Sequence, residues 1–178
     1  MLKRTVTILA CLFTIIAAKS QGTDVDSSNY SSTIKHQADS MATLLIKKDY
    51  KAFAKCTYPK VVEMMGGENN MVEILKSGTS QLESQGVEIT GITIGNPSKI
   101  LAEKNELQCT VPQRIEMKVQ GGKLVSNSTL IAISMNKGKK WYFTDTSGKD
   151  ITTMRKSLPN LSKDLVIPPA EKPIFYKD

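Results

Sequence analysis

The chain has 178 residues, a formal charge of +7, one histidine and three cysteines. So few His and Cys side chains exclude the usual zinc shells and a histidine-based catalytic triad, and no metal or cofactor is expected. The positive charge comes from lysines scattered along the chain, with no arginine-rich helix and no interleaved aromatics, which argues against nucleic-acid binding.

Met1 to Ser20 carries Lys3 and Arg4, an apolar run from Thr5 to Ala18, and then small residues, the layout of a secretory signal peptide cleaved after Ser20. A run of about 14 apolar residues falls short of the ~20 that span a bilayer, so no integral membrane segment is expected after cleavage. Ile8 to Cys11 imitates a lipidation box, yet too few apolar residues precede it. Loss of Lys3, Arg4 and Lys19 lowers the charge from +7 to +4 and leaves a periplasmic or secreted chain. Cys56 and Cys109 remain, in a compartment where a disulfide between them can persist.

Residues 21–32 are rich in Ser, Asp and Asn and read as a flexible leader. Ile34, Ala38, Met41 and Leu45 then recur at steps of four, three and four, which predicts an amphipathic helix from Thr33 to about Lys47. Asp49 caps a short second helix with Tyr50 and Phe53 facing inward, and the Tyr58 and Pro59 pair ends it. Pro59 opens a third helix that Gly66 and Gly67 stop. Asn69 or Asn70 is expected to cap a fourth, with Met71, Ile74, Leu75 and Leu82 on one face and Gly86 as its end.

Strands follow. In Val87 to Gly95 the alternation shifts at Gly91, the mark of a bulge, and Lys99 to Ala102 opens a short second strand. From Glu106 to Val119 the odd positions are apolar and the even ones polar, the period of two of a strand, with Pro112 requiring an edge or a bulge. Gly121 and Gly122 turn the chain into Leu124 to Met135, which is apolar on both parities and so reads as a central strand. Trp141 to Asp145 closes the sheet. Asp150 caps a helical turn, and a tail with Pro159, Pro168, Pro169 and Pro173 is expected to be irregular, pinned by Leu161, Leu165, Ile167 and Phe175. The expected divisions are a signal over 1–20, a leader over 21–32, an α+β domain over 33–147 and a packed tail over 148–178.

Three stretches, Lys48 to Phe53, Met65 to Gly67 and Trp141 to Asp145, set in this order of helices and then strands, resemble the nuclear transport factor 2 superfamily. The tail resembles that of small exported bacterial proteins with this fold. The resemblance implies an α+β cone, N-terminal helices packed on a curved antiparallel sheet, whose conical pocket serves isomerase, dehydratase or cyclase chemistry in some members and only binding or assembly in others. The catalytic members need a carboxylate base and a polar or His partner facing the pocket. Here the odd parity of the long strand offers only Gln113, and Glu116 lies on the other parity.

The expectation is therefore an exported, non-enzymatic binding or assembly module that takes a small apolar ligand or an envelope protein. Tyr50, Tyr58, Met117, Trp141 and Phe143 are candidate pocket residues as well as candidate core, and Asp145 is a candidate for the rim. Two alternatives stand beside this one. One is an isomerase or hydrolase whose polar groups come from the helices, and the other is a structural subunit that forms a homodimer through the sheet face. His36 and Asp39, three residues apart, have the types for an acid/base pair, but His36 falls off the apolar stripe and is expected in solvent.

Overall fold

A computed structural model describes residues 28–178, so the expected signal, with Cys11, and most of the leader lie outside the described residues. The first helix, α1 (Ser28–Ile46), begins five residues before Thr33, inside the stretch read as a leader. Tyr30 explains the difference. It lies four residues before Ile34, which extends the apolar stripe by a turn, and its ring meets that of Trp141 edge-on with centroids 6.2 Å apart.

Helix α2 (Tyr50–Ala54) is capped as expected by Asp49, whose carboxylate accepts the Ala52 N–H at 3.0 Å. Pro59 occupies the first turn of α3 (Pro59–Met64). The cap of α4 (Glu68–Ser84) is Gly67, not Asn69 or Asn70. Gly66 and Gly67 take φ of +85° and +94°, values that side chains rarely adopt. The Asn70 amide instead donates back to the Met65 carbonyl, one of those left without a partner at the end of α3.

The sheet contains β1 (Glu88–Ile94), β2 (Leu101–Glu103), β3 (Glu106–Val119), β4 (Gly122–Ser134), β5 (Tyr142–Asp145) and β6 (Ile174–Lys177). It is antiparallel in the order β1-β3-β4-β5, with β2 also on β3 and β6 also on β4. The chain is thus an α+β protein with its helices first. Pairing of β1 with β3 skips Thr90, the bulge expected beside Gly91. Pro112 accepts the Gly95 N–H through its carbonyl, so its missing N–H falls where the chain loops out between β1 and β2. Val119 pairs with Gly122, so the turn is Gln120 and Gly121, one residue earlier than expected.

Strand β4 is apolar on both sides because both sides are covered. Leu130 and Ala132 pack with Cys109, Val111 and Phe143 against Ile34, Ala38 and Met41 of α1. Ile131 and Ile133 face away from α1, onto Tyr58, Met154 of α5 (Ile151–Ser157) and the anchors Leu158, Leu161 and Leu165. Two of the expected pins of the tail, Leu161 and Leu165, are therefore buried. Phe175 is not a pin, being 52% exposed, and the tail is not irregular throughout. Its prolines end at Pro173, and the β-forming run Ile174 to Lys177 then pairs with residues 122–125 of β4 as β6.

Trp141 is 1% exposed, and its indole N–H donates to the Gly138 carbonyl at 3.0 Å. Trp141→Ala should lower the unfolding free energy by about 3–5 kcal/mol. Urea titration checks this, and an unchanged midpoint would contradict the packing described. Gly122 sets a second test, because a Cβ there would lie 2.1 Å from the Tyr176 carbonyl oxygen. Gly122→Ala should detach β6, so amide exchange at residues 174–177 should accelerate while residues 130–133 stay protected.

Candidate functional site

The helices leave a gap above the sheet. Helix α1 packs along β1, whereas α4 leans on α2 and α3. Between them lies a cavity of about 400 Å³, within the ~300–1,000 Å³ common for small-molecule sites. Met41, Ala42 and Leu45 of α1 form one wall, Met71 and Leu75 of α4 another, and Phe53, Val61 and Met65 the back. The sheet supplies Ile92 and Ile115, directly opposite each other on β1 and β3, with Leu130 and Phe143.

One end of the cavity is polar. Gln113, 8% exposed, stands between Val111 and Ile115 on the apolar parity of β3. Its Nε2 donates to Asp145 Oδ2 at 2.5 Å and to Ser128 Oγ at 2.8 Å, and Ser128 Oγ donates to the same carboxylate oxygen at 2.9 Å. Asp145 Oδ1 accepts the Ser147 N–H at 2.5 Å. The carboxylate therefore stabilises the turn that ends the sheet and also orients the amide. Asp145 lines the cavity and is exposed, at its mouth.

Of the five candidate pocket residues, only Phe143 lines this cavity. Trp141 is core, filled against Tyr30. Tyr58 packs with Ile131 and Ile133 on the far face of the sheet. Met117 shares the parity of Ile115 but sits one pair nearer the hairpin, opposite Ile89, and Tyr50 is buried at the start of α2. Aromatic character marked large core residues and not the cavity, whose lining is mostly aliphatic. The available signal was Gln113, a lone polar residue on an apolar parity.

The remaining candidates are structural. Cys56 and Cys109 are free thiols within the same core, so the candidate disulfide is not formed. Burial pushes the Cys109 thiol up to about 12. Cys56 is also raised by burial, against an opposing pull from Lys140. Glu116 points away from the cavity and is held by Lys123 and Arg114, which lower its pKa. His36 is exposed, and Asp39 pairs with Lys35 at 3.3 Å. The helices bring the cavity no acid or base, and the link between α2 and α3 adds one polar lining residue, Thr57. Among the described residues no three His, Cys, Asp or Glu side chains converge as metal ligands, and no helix is long and apolar enough to cross a membrane.

No protein-family model, curated protein or solved structure matches the chain.

The tail is tied to the far face by a polar network. Tyr58 Oη donates to Glu106 Oε1 at 2.9 Å, and Asn160 Nδ2 donates to Tyr58 Oη at 2.9 Å and to Glu106 Oε2 at 2.7 Å. Gln108 adds bonds to the Asn160 carbonyl and the Ser162 N–H at 3.0 and 2.8 Å. Burial first, and the Glu106 carboxylate second, push the Tyr58 phenol from its ordinary 10.0 to about 12. The unfolded chain then loses this proton first, so the stability is fully present below about pH 10 and is lost as the pH rises to about 12. Tyr58→Phe should flatten the fall of unfolding free energy over that interval, leaving the part that Cys109 contributes. An unaltered slope in urea titrations would refute it.

Proposed function

We propose that this chain is a non-enzymatic binding module of nuclear transport factor 2-like architecture, exported to the cell envelope, that holds a small apolar ligand between its helices and its sheet. The cavity carries this reading: apolar walls from four helices and four strands surround one oriented polar corner. Its lining lacks a histidine, a lysine and a cysteine, and its one carboxylate, at the mouth, already accepts three hydrogen bonds. That disfavours the isomerase or hydrolase alternative, which needs a base facing bound substrate.

Titration of methyl-labelled protein with nonan-1-ol tests the reading. Saturable shifts are expected at Ile92, Ile115, Leu75 and Leu130, with Ile131 and Ile133 unmoved. Ile115→Trp, which fills the cavity, should abolish them. Shifts confined to Ile131 and Ile133, or none that saturate, would overturn the proposal.

A second reading, a homodimer through a strand edge and not through the sheet face expected from the sequence, is suggested by β6, whose second edge is free among the described residues. Ile174, Phe175 and Tyr176 are 52, 52 and 48% exposed, and a bare apolar edge is a template for another strand. A second copy of the chain fits it. Bonded and non-bonded pairs alternate along an antiparallel ladder, so a two-fold axis requires one residue to face itself. Asp178 donates its N–H to the Gly121 carbonyl, which turns the backbone of Tyr176 and Ile174 toward β4 and that of Phe175 and Lys177 outward. Phe175 facing its own copy then sets Lys172 of each chain against Asp178 of the other, a favourable charge pairing. Light scattering should give a dimer that Phe175→Lys converts to monomer, and a monomer at every concentration would refute this reading.

A further inference from the structure

We infer that the cavity selects its ligand by a hydrogen-bond donor, so that it takes apolar alcohols and amines in preference to ethers and carboxylates. The inference rests on the cavity reading above and concerns Gln113. An ionised carboxylate can only accept, so the amide edge facing Asp145 must be Nε2. Ser128 has spent its proton on Asp145 and meets Nε2 with a lone pair. Both amide hydrogens are thereby used, and the unspent group of Gln113 is its carbonyl oxygen. Among the described residues no donor bonds that oxygen, and it is not sealed off, although Gln113 as a residue is only 8% exposed in the cavity wall.

The other polar groups of the lining lean the same way. Asp145 adds a negative charge at the mouth, and the Thr57 hydroxyl gives its proton to the Phe53 carbonyl at 3.3 Å, which leaves it lone pairs alone. Against these acceptors stand the hydroxyls of Thr144 and Ser147, and no Lys, Arg or His lines the cavity. A carboxylate head group would meet a like charge and few donors. A hydroxyl or ammonium head group would satisfy the Gln113 carbonyl while its chain covers Ile92 and Ile115.

Nonan-1-ol and octyl methyl ether test this by calorimetric titration, because they are isomers that differ in one O–H donor. The alcohol should bind about tenfold more tightly, the range of one satisfied neutral hydrogen bond. Gln113→Leu should erase the difference while retaining binding of both, and Gln113→Met carries the same comparison should the leucine variant not fold. Equal affinities, or a preference that survives both substitutions, would overturn the donor rule while leaving the cavity reading intact. Failure of both isomers to bind would overturn the cavity reading and the rule with it.

Discussion

Everything in this fold depends on covering both faces of β4. Four consecutive buried aliphatic residues, Leu130 to Ile133, point alternately to opposite sides, and an antiparallel sheet with solvent on one side would leave Ile131 and Ile133 in water. Burying such side chains contributes roughly 1.5–3 kcal/mol each, so the segment after the sheet is drawn across the far face. Leu158, Leu161 and Leu165 supply the apolar cover. Because the covering chain is irregular, its backbone groups need partners that a helix or strand would have supplied. Gln108 serves two of them, the Asn160 carbonyl and the Ser162 N–H, while Tyr58 and Glu106 hold the Asn160 side chain, which is why polar side chains stand on an otherwise buried face. One atom, Asn160 Oδ1, is buried without a partner among the described residues.

On the other face the cover is incomplete. Short α2 and α3 and the glycine pair before α4 hold that last helix away from close packing on the strands, so its residues Ile74 and Leu82 remain 47% and 38% exposed. Lys48 and Glu83 form an ion pair that ties the end of α1 to the end of α4, across solvent and therefore weak. Met71 and Leu75 consequently face Ile92 and Ile115 across a cavity and do not interdigitate with them. The cavity is a product of helix lengths and glycine positions more than of any single lining residue.

That origin explains what could be read in advance. Local rules located the Asp49 and Asp150 caps, Pro59 at a helix start, the bulge beside Gly91 and the parity of β3, because each depends on neighbours in sequence. Tyr30 and β6 were hidden by composition: a polar leader masked one apolar residue at helical spacing, and four prolines masked a four-residue strand. Pocket residues were the least legible. Trp141 and Tyr58 have the chemistry of pocket linings, but how a helix stands off a sheet is not written in the periodicity of either.

The polar corner illustrates how site and scaffold share residues here. Asp145 ends β5, accepts the Ser147 N–H that stabilises the following left-handed turn, with Ser147 at φ +51°, and fixes the Gln113 amide. Replacing it would loosen the turn and free the amide together, so a change in ligand affinity at that position could not be assigned to either cause. Gln113 sits in the middle of β3, where the ladder to Ser128 and Ile94 fixes the backbone whatever the side chain. Its substitution reports on the acceptor facing the cavity, because the turn at Asp145 keeps its own hydrogen bond from the Ser147 backbone.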